Sequence, residues 1–352
     1  MYIRSTGSIS PQPTFGHPPF LEDLEATVAT SLTCIEPDYK NFIDPKLIRR
    51  MSRIIKMGVA AALECLTEAG VHSPDAVITG TAYGCLEDSA AFLSKMVGLN
   101  EDLLTPTAFI QSTHNTVAAQ IALILQCHSY NNTFVHRGFS FESALLDAVM
   151  LMKEGEAENV LVGGVDEITT TSHTILTRLG LYRRKPVSNL DLFSPSLKGT
   201  IAGEGAAFFL LSTRHNENDY AVLQGSHTFY KPESIERIIE QLSYFFSSQA
   251  IDPQEIDLVI TGRNGDRQQD TVYNEVLDNV FNGTVVINFK HLCGEYPTAS
   301  SFALWMAAHI IRSGKLPERL AESGTAKPIR KVLIYNHYLN IHHSLMLVTK
   351  PS

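Results

Sequence analysis

FVHRGFSFESALLDAVMLMKEGEAENVLVGGVDE, residues 134–167, decides the fold. It reads as the end of a strand, a tight turn, a buried helix and a second strand. Phe134 and Val135 close the first strand, and His136-Arg137-Gly138 makes the turn, with glycine where the backbone bends sharply. Ser140 is expected as the helix N-cap, with Ser143 and Asp147 following on the helix. Ala144, Leu145, Ala148, Val149, Leu151 and Met152 leave this helix apolar almost all round, which predicts burial. Lys153-Glu154-Gly155 provides a glycine stop. Residues 160–162 form a short buried strand, and Gly163-Gly164 lets another backbone come close.

Upstream, residues 1–9 read as a strand and 11–19 as a Pro-rich loop. Asp44-Pro45 opens a long helix over about 46–69. A strand at 76–80, a helix at 86–97 and a loop followed by a helix within 105–126 lead into the central stretch. Downstream, 169–196 reads as loop-rich, Gly203-Glu204-Gly205 precedes a strand at 206–211, and 213–219 is a polar linker. The rest repeats the order: strands at 221–225, 258–261, 285–289, 332–335 and 344–348, with helices at 232–247, 271–280 and 300–313. Strands alternating with helices predict an α/β protein with a mostly parallel sheet, in two similar halves, 1–213 and 214–352.

The 352 residues are 44% hydrophobic and 18% charged, enough for a large core. No apolar run reaches the ~18 residues of a membrane span, and residues 1–15 lack the layout of a signal peptide. Cys34, Cys65, Cys85, Cys127 and Cys293 are scattered, which predicts reduced thiols in a cytoplasmic protein. A formal net charge of −9 argues against nucleic acid as the main partner, though not against an acidic protein docking on a local basic patch.

Gly155-Glu156-Ala157-Glu158 and Gly163-Gly164-Val165-Asp166 resemble the second part of the nucleophile segment of the β-ketoacyl synthases, the condensing enzymes of fatty acid and polyketide synthesis. Those enzymes read strand, a T-A-C-x-S-G elbow, a long helix, then G-[DE]-A-[DE]-x-x-x-x-G-G-x-[DE]. Counting back places the family's cysteine on Gly138. Gly203-Glu204-Gly205-Ala206 resembles the family's G-E-G-A segment, and 109–120 its dimer-interface and tunnel-floor segment. Residues 288–295 resemble S-x-K-x-x-x-G-H, with Lys290 on the lysine and Glu295 on the second catalytic histidine. Gly262 stands for the first catalytic histidine, in place of A-H-G-T. The G-F-G-G-T-N loop becomes His337-Tyr338-Leu339-Asn340-Ile341-His342, and the chain is somewhat shorter than a typical family member. The resemblance implies a thiolase-like, five-layer α/β/α/β/α fold.

A condensing enzyme needs a thiolate activated at a helix N-terminus to accept the acyl chain. It also needs two imidazoles to polarise the malonyl thioester during decarboxylation. Glycine, glycine and glutamate supply neither, and a carboxylate repels a developing enolate. The resemblance therefore implies a silent site, as in chain-length factors, which lack the cysteine and pair with an active ketosynthase. HRGFSFE and FIQSTHNT are similar to the ketosynthase-like proteins of aryl polyene and flexirubin-type pigment clusters. The expected role is a non-catalytic chain-length-factor partner of an active ketosynthase in polyene, polyketide or fatty-acid-like synthesis. Phe109, Gln111, Ser112, Thr113, His114 and Asn115 would form the tunnel and dimer contact. Two alternatives stay open: an active 3-oxoacyl-acyl-carrier-protein synthase or acyltransferase using Ser140, or a homodimeric scaffold that binds acyl carrier protein. Expected partners are a ketosynthase or a second copy, and acyl carrier protein; no cofactor and no metal are expected.

Other candidates have simpler readings. Ser140 near His136 hints at a hydrolase pair, but no G-x-S-x-G elbow is present and helix capping accounts for it. Cys85 has nothing basic near it in sequence and reads as a small buried thiol. His342 and His343 point to opposite faces of a strand, so with His337 they make poor joint metal ligands. Asp166-Glu167 resembles a carboxylate pair for acid–base work, but capping of a strand end is expected. Lys290 is expected to pair with a neighbouring acid, Glu295 being one candidate. Arg49, Arg50, Arg53 and Lys56 form a basic stripe, and Arg183-Arg184-Lys185 a basic loop. Either suits an acidic carrier protein or, more simply, a solvated surface.

Overall fold

The computed structural model describes residues 1–351 apart from 17, 103, 195–197 and 321–327. Ten strands form one sheet: β1 (Tyr2–Ile9), β2 (Ala76–Gly80), β3 (Tyr130–Phe134), β4 (Asn159–Asp166), β5 (Gly205–Ser212), β6 (Ala221–Tyr230), β7 (Leu258–Thr261), β8 (Val285–Asn288), β9 (Lys331–Tyr338) and β10 (His342–Thr349). Their order across the sheet is β8-β7-β9-β10-β6-β1-β5-β4-β2-β3. Each half follows the same pattern. From its outer edge the N-terminal half places its third, second, fourth, fifth and first strands, and so does the C-terminal half. In both, the fifth strand alone runs antiparallel to the fourth, while the second pairs in parallel with third and fourth. The halves meet where β1 pairs with β6.

Alternation of side chains along each strand sorts the core into layers. Ile78, Val162 and Phe209 of one half and Ile260, Ile334 and Met346 of the other share a central core with the helices Ser140–Lys153 and Ser300–Ser313. The opposite face of the N-terminal half, with Val77, Leu161 and Phe208, packs against the helices Arg53–Ala69 and Thr116–Leu125. Val259, Leu333 and Leu347 face the helices Ile235–Gln249 and Arg267–Val280. Each half of the sheet has helices on both faces and the two halves share the central ones, so the order helix, half-sheet, helix, half-sheet, helix gives the expected five layers, with the central helix Ser140–Lys153 buried as its composition predicts. Among the described residues no helix is long and apolar enough to cross a membrane.

Three local expectations are corrected. The helix expected over 46–69 is two, Pro45–Ile48 and Arg53–Ala69. Ser52 is extended between them and Met51 is buried there, so the apolar period runs on through a break in the backbone. The stretch expected to be loop-rich holds the helix Thr170–Arg178, nucleated by a reciprocal Thr169–Ser172 capping box inside a Thr/Ser run that reads as loop; residues 195 and 196 of that stretch lie outside the described residues. Ser140 is not the N-cap: it is the first helical residue, and Phe139 caps without a side-chain hydrogen bond.

Candidate functional site

The elbow between β3 and the helix Ser140–Lys153 is a one-turn 3-10 helix, Arg137–Phe139. The Ser140 hydroxyl closes it, accepting from the His136 N–H at 2.8 Å and donating to the Arg137 carbonyl at 2.8 Å. That hydroxyl is buried, and the His136 ring reaches Ser143 instead, 3.4 Å away. Gly138 sits in the turn with no room for a side chain. A Cβ there would meet the Tyr338 Cβ at 2.6 Å and the His342 Cβ at 3.1 Å. Tyr338, the last residue of β9, thus stands in the space a nucleophile would need. The hairpin Leu339–Asn340, both residues left-handed, turns the chain back into β10 behind it.

The other two positions assigned to catalysis by resemblance are closed as well. At Gly262 a Cβ would meet Asn336 Oδ1 at 2.2 Å and the Tyr273 hydroxyl at 2.6 Å. Glu295 is buried and bound to Lys290, Nζ to Oε2 at 2.8 Å, so the expected ion pair is formed. Lys290 also donates to the His337 carbonyl at 3.0 Å, and Asn264 Nδ2 donates to the same Glu295 oxygen at 2.7 Å. The region lined by Tyr182, Asn264, Gln269, Glu295, Tyr338 and Leu339 leaves no space for a water molecule. Tyr338, Asn336 and Tyr273, which fill the two glycine positions, were not singled out by the sequence. An aromatic residue in a loop that is glycine-rich in the family was the signal that could have found Tyr338.

The remaining candidates take structural positions. Asp166 ends β4 and accepts from Thr81 Oγ1, the Ala82 N–H, and the N–H and hydroxyl of Thr298. Burial still raises its pKa to about 6. Glu167 caps the N-terminus of the helix Leu86–Gly98 through the Glu87 N–H, and burial raises it to about 7. Burial and the carboxylates of Asp88 and Glu167 push the Cys85 thiol up to about 12, the opposite of an activated nucleophile. His337 and His343 are buried and held neutral, His343 with its pKa lowered to about 4. No set of three His, Cys, Asp or Glu side chains among the described residues is arranged to hold a metal ion.

The expected docking residues separate. Arg53 leaves the basic stripe: it forms a two-pronged pair with buried Glu204 and binds Glu36. Arg49 and Arg50 stay exposed. Arg183 is buried and donates to the carbonyls of Gly199, Leu192 and Gly265, leaving only Arg184 and Lys185 on the surface. Phe109, Gln111, Ser112, Thr113, His114 and Asn115 are not drawn into the elbow. They span the end of the helix Pro106–Gln111 and the turn after it, where Phe109 meets Phe92, Gln111 binds the Arg50 carbonyl, and the Ser112 carbonyl accepts from Ser89. Phe109 and Ile110 are 57% and 58% exposed.

Comparison with known proteins agrees with this architecture. The model of the β-ketoacyl synthase N-terminal domain matches residues 23–217. No curated protein matches the sequence. Among solved structures, the ishigamide ketosynthase/chain length factor superposes with a TM-score of 0.81 at 16% identity, over 100% of this chain and 99% of that one. A β-ketoacyl synthase from Burkholderia phymatum STM815 gives 0.83 at 13% identity, over 100% and 99%. The complex of a ketosynthase with its chain length factor from Xenorhabdus doucetiae gives 0.77 at 14% identity, over 99% and 98%. At such identities the likeness speaks to the fold, which is thiolase-like.

Proposed function

This chain belongs to the β-ketoacyl synthase family, and we propose that within it the chain is a non-catalytic, chain-length-setting partner of an active ketosynthase. The observation that carries this is Tyr338 filling the elbow: Gly138 is not merely a missing thiol but a position its neighbour has closed. Gly262 shut by Asn336 and Tyr273, and Glu295 neutralised by Lys290, extend it to the whole machinery. The candidates for a replacement nucleophile support the same reading, since the Ser140 hydroxyl is spent on the turn and the Cys85 thiol is held protonated. The solved relatives include a ketosynthase in complex with its chain length factor, and an acyl-carrier protein in complex with its ketosynthase.

Exposed Phe109 and Ile110, with Leu93 and Val97 on the neighbouring helix, support a subunit contact there, made to an active ketosynthase or to a second copy. Arg49 and Arg50, beside that surface through Gln111, are the bases we assign to an acidic acyl carrier protein. A polyene pathway of the aryl polyene or flexirubin type, in the cytoplasm, is the setting this role fits.

The test is intact-protein mass after incubation with acyl- and malonyl-loaded carrier protein, with and without a Cys-bearing ketosynthase from the same source. The expected result is an acyl adduct on the ketosynthase alone, and a product length that shifts when bulky residues replace 111–115. An adduct on Ser140 or Cys85, or condensation by this chain alone, overturns the proposal.

A further inference from the structure

We propose that the underside of the sheet, where Glu158 and Arg330 stand at equivalent places in the two halves, is an interface to a second copy of this chain. It does not depend on whether the chain pairs with a ketosynthase, because that contact is assigned to Leu93, Val97, Phe109 and Ile110, away from these strand ends.

Each half closes its underside with the same hydrogen bonds. Asp75, just before β2, accepts from the Glu158 and Asn159 N–H groups at 2.9 and 2.8 Å. Asp257, just before β7, accepts from the Arg330 and Lys331 N–H groups at 2.8 and 2.9 Å. The Thr213 N–H donates to the Glu158 carbonyl at 3.1 Å, and the Lys350 N–H to the Arg330 carbonyl at 2.9 Å. Strand register makes the same match, since Ala76 pairs with Val160 as Leu258 pairs with Val332. One backbone frame is thus used twice with its charge reversed. Glu158, Asn159 and Thr213 of the first half are Arg330, Lys331 and Lys350 in the second. None of these side chains is buried, so core packing does not account for the reversal.

The two places are joined along the strand ends. An acidic pocket of about 540 Å³ has Asp75, Glu156, Glu158 and Arg214 in its lining. A basic pocket of about 390 Å³ is lined by Arg330, Lys331, Thr349, Lys350 and Pro351. A third pocket bridges them: it begins at His215, next in sequence to Arg214, and shares Lys350 and Pro351 with the basic one. In the acidic pocket Arg214 pairs with Glu158 at 2.7 Å, and in the basic pocket Lys331 pairs with Glu255. Arg330, Lys350 and Glu156 are exposed and form no ion pair among the described residues.

A strip that is acidic at one end and basic at the other complements itself when turned through 180°. In such a two-fold contact Arg330 and Lys350 of each copy enter the acidic pocket of the other, and both ends are satisfied at once. The guanidinium of Arg330 can hold a carboxylate through two parallel hydrogen bonds. A foreign partner needs the same opposed charges at the same spacing, which a second copy supplies by symmetry.

Sedimentation velocity of the full chain at ~0.15 M salt tests this, where net charge is screened beyond about 8 Å. Phe109→Ser and Ile110→Ser are carried throughout, so that association through that surface is not counted. A closed dimer is expected. Arg330→Glu and Glu156→Arg, both at exposed positions, are each expected to weaken it about ten-fold or more. An equimolar mixture of these two variants is expected to dimerise again, since each offers the other the charge it lacks. Arg184→Glu makes the same change of net charge elsewhere and is expected to leave the dimer unchanged. A monomer at all concentrations up to ~0.1 mM, a dimer that survives either single change, or equal weakening by Arg184→Glu overturns the assignment. So does a mixture that stays monomeric, or an assembly that grows beyond two copies.

Discussion

The two halves share one strand order and differ in what hangs from it. Between second and third strands the N-terminal half inserts residues 81–129, with three helices; the C-terminal half uses 262–284 and the single helix Arg267–Val280. Between fourth and fifth strands the contrast is sharper: residues 167–204 against the three-residue turn Leu339–Ile341. The long insertions leave Leu93, Val97, Phe109, Ile110 and Leu179 exposed, whereas among the described residues the large hydrophobic side chains exposed on β6 to β10 and their helices are Tyr230 and Tyr244. The same sheet thus presents apolar surface from one half, while the short turn of the other drives Tyr338 into its neighbour's elbow. Duplication supplies the frame, and connection length decides which half faces outward and which half fills the centre.

That contrast can be broken at its centre first. Lys290→Ala leaves Glu295 buried and unpaired and is expected to cost about 3–5 kcal/mol in urea unfolding, whereas Lys290→Met with Glu295→Leu recovers most of it. A single-mutant cost under about 1 kcal/mol would show a solvated pair. Next comes the difference between core and insertion. Leu145→Ala, on the central helix, is expected to cost about 2–5 kcal/mol, and Phe109→Ser, on the insertion, within about 0.5 kcal/mol. Equal costs would mean that the insertion is packed rather than exposed. Gly138→Cys is expected to cost about 1–3 kcal/mol by overpacking, and much less in a Tyr338→Ala background. Simple additivity of the two would remove Tyr338 as the occupant of the elbow.

The smallest effect is a slope with pH. Burial raises the Glu64 carboxyl from 4.5 to about 7, against the hydrogen bonds it accepts from the Ser8 and Gly16 N–H groups. The folded chain therefore holds this proton more tightly than the unfolded chain does. Its contribution to stability is full below pH 4.5 and is lost as pH climbs through about 7. Glu64→Gln should flatten the stability profile across that window, read from urea midpoints; an unchanged slope would assign it to other carboxylates.

Local pattern made the central stretch, the α/β alternation and the repeat legible, because each rests on apolar periodicity within one element. The resemblance added the fold and drew attention to Gly138, Gly262 and Glu295. What stayed hidden is long-range. Arg53 looked like one charge in a stripe because Glu204 lies 151 residues away. Arg183 looked like a loop base because the carbonyl oxygens that bury it come from three separate segments. A vacated position reads as an absence in sequence, and only the neighbour's side chain shows whether it is empty or filled. Met51 hid a helix break for the converse reason, being buried whether or not the helix continues through it.

The junction of β1 with β6 has a thermal consequence. Two residue pairs, Tyr2 with Val222 and Ile3 with Ala221, join the halves as a ladder there, and the apolar central core shares the rest with cross-half hydrogen bonds such as Thr298 to Asp166 and Ser344 to Glu142. Cohesion that rests on apolar contact weakens on cooling, while hydrogen-bonded ladders lose much less. Cooling therefore loosens the apolar share of this boundary and leaves its hydrogen bonds to hold the halves together.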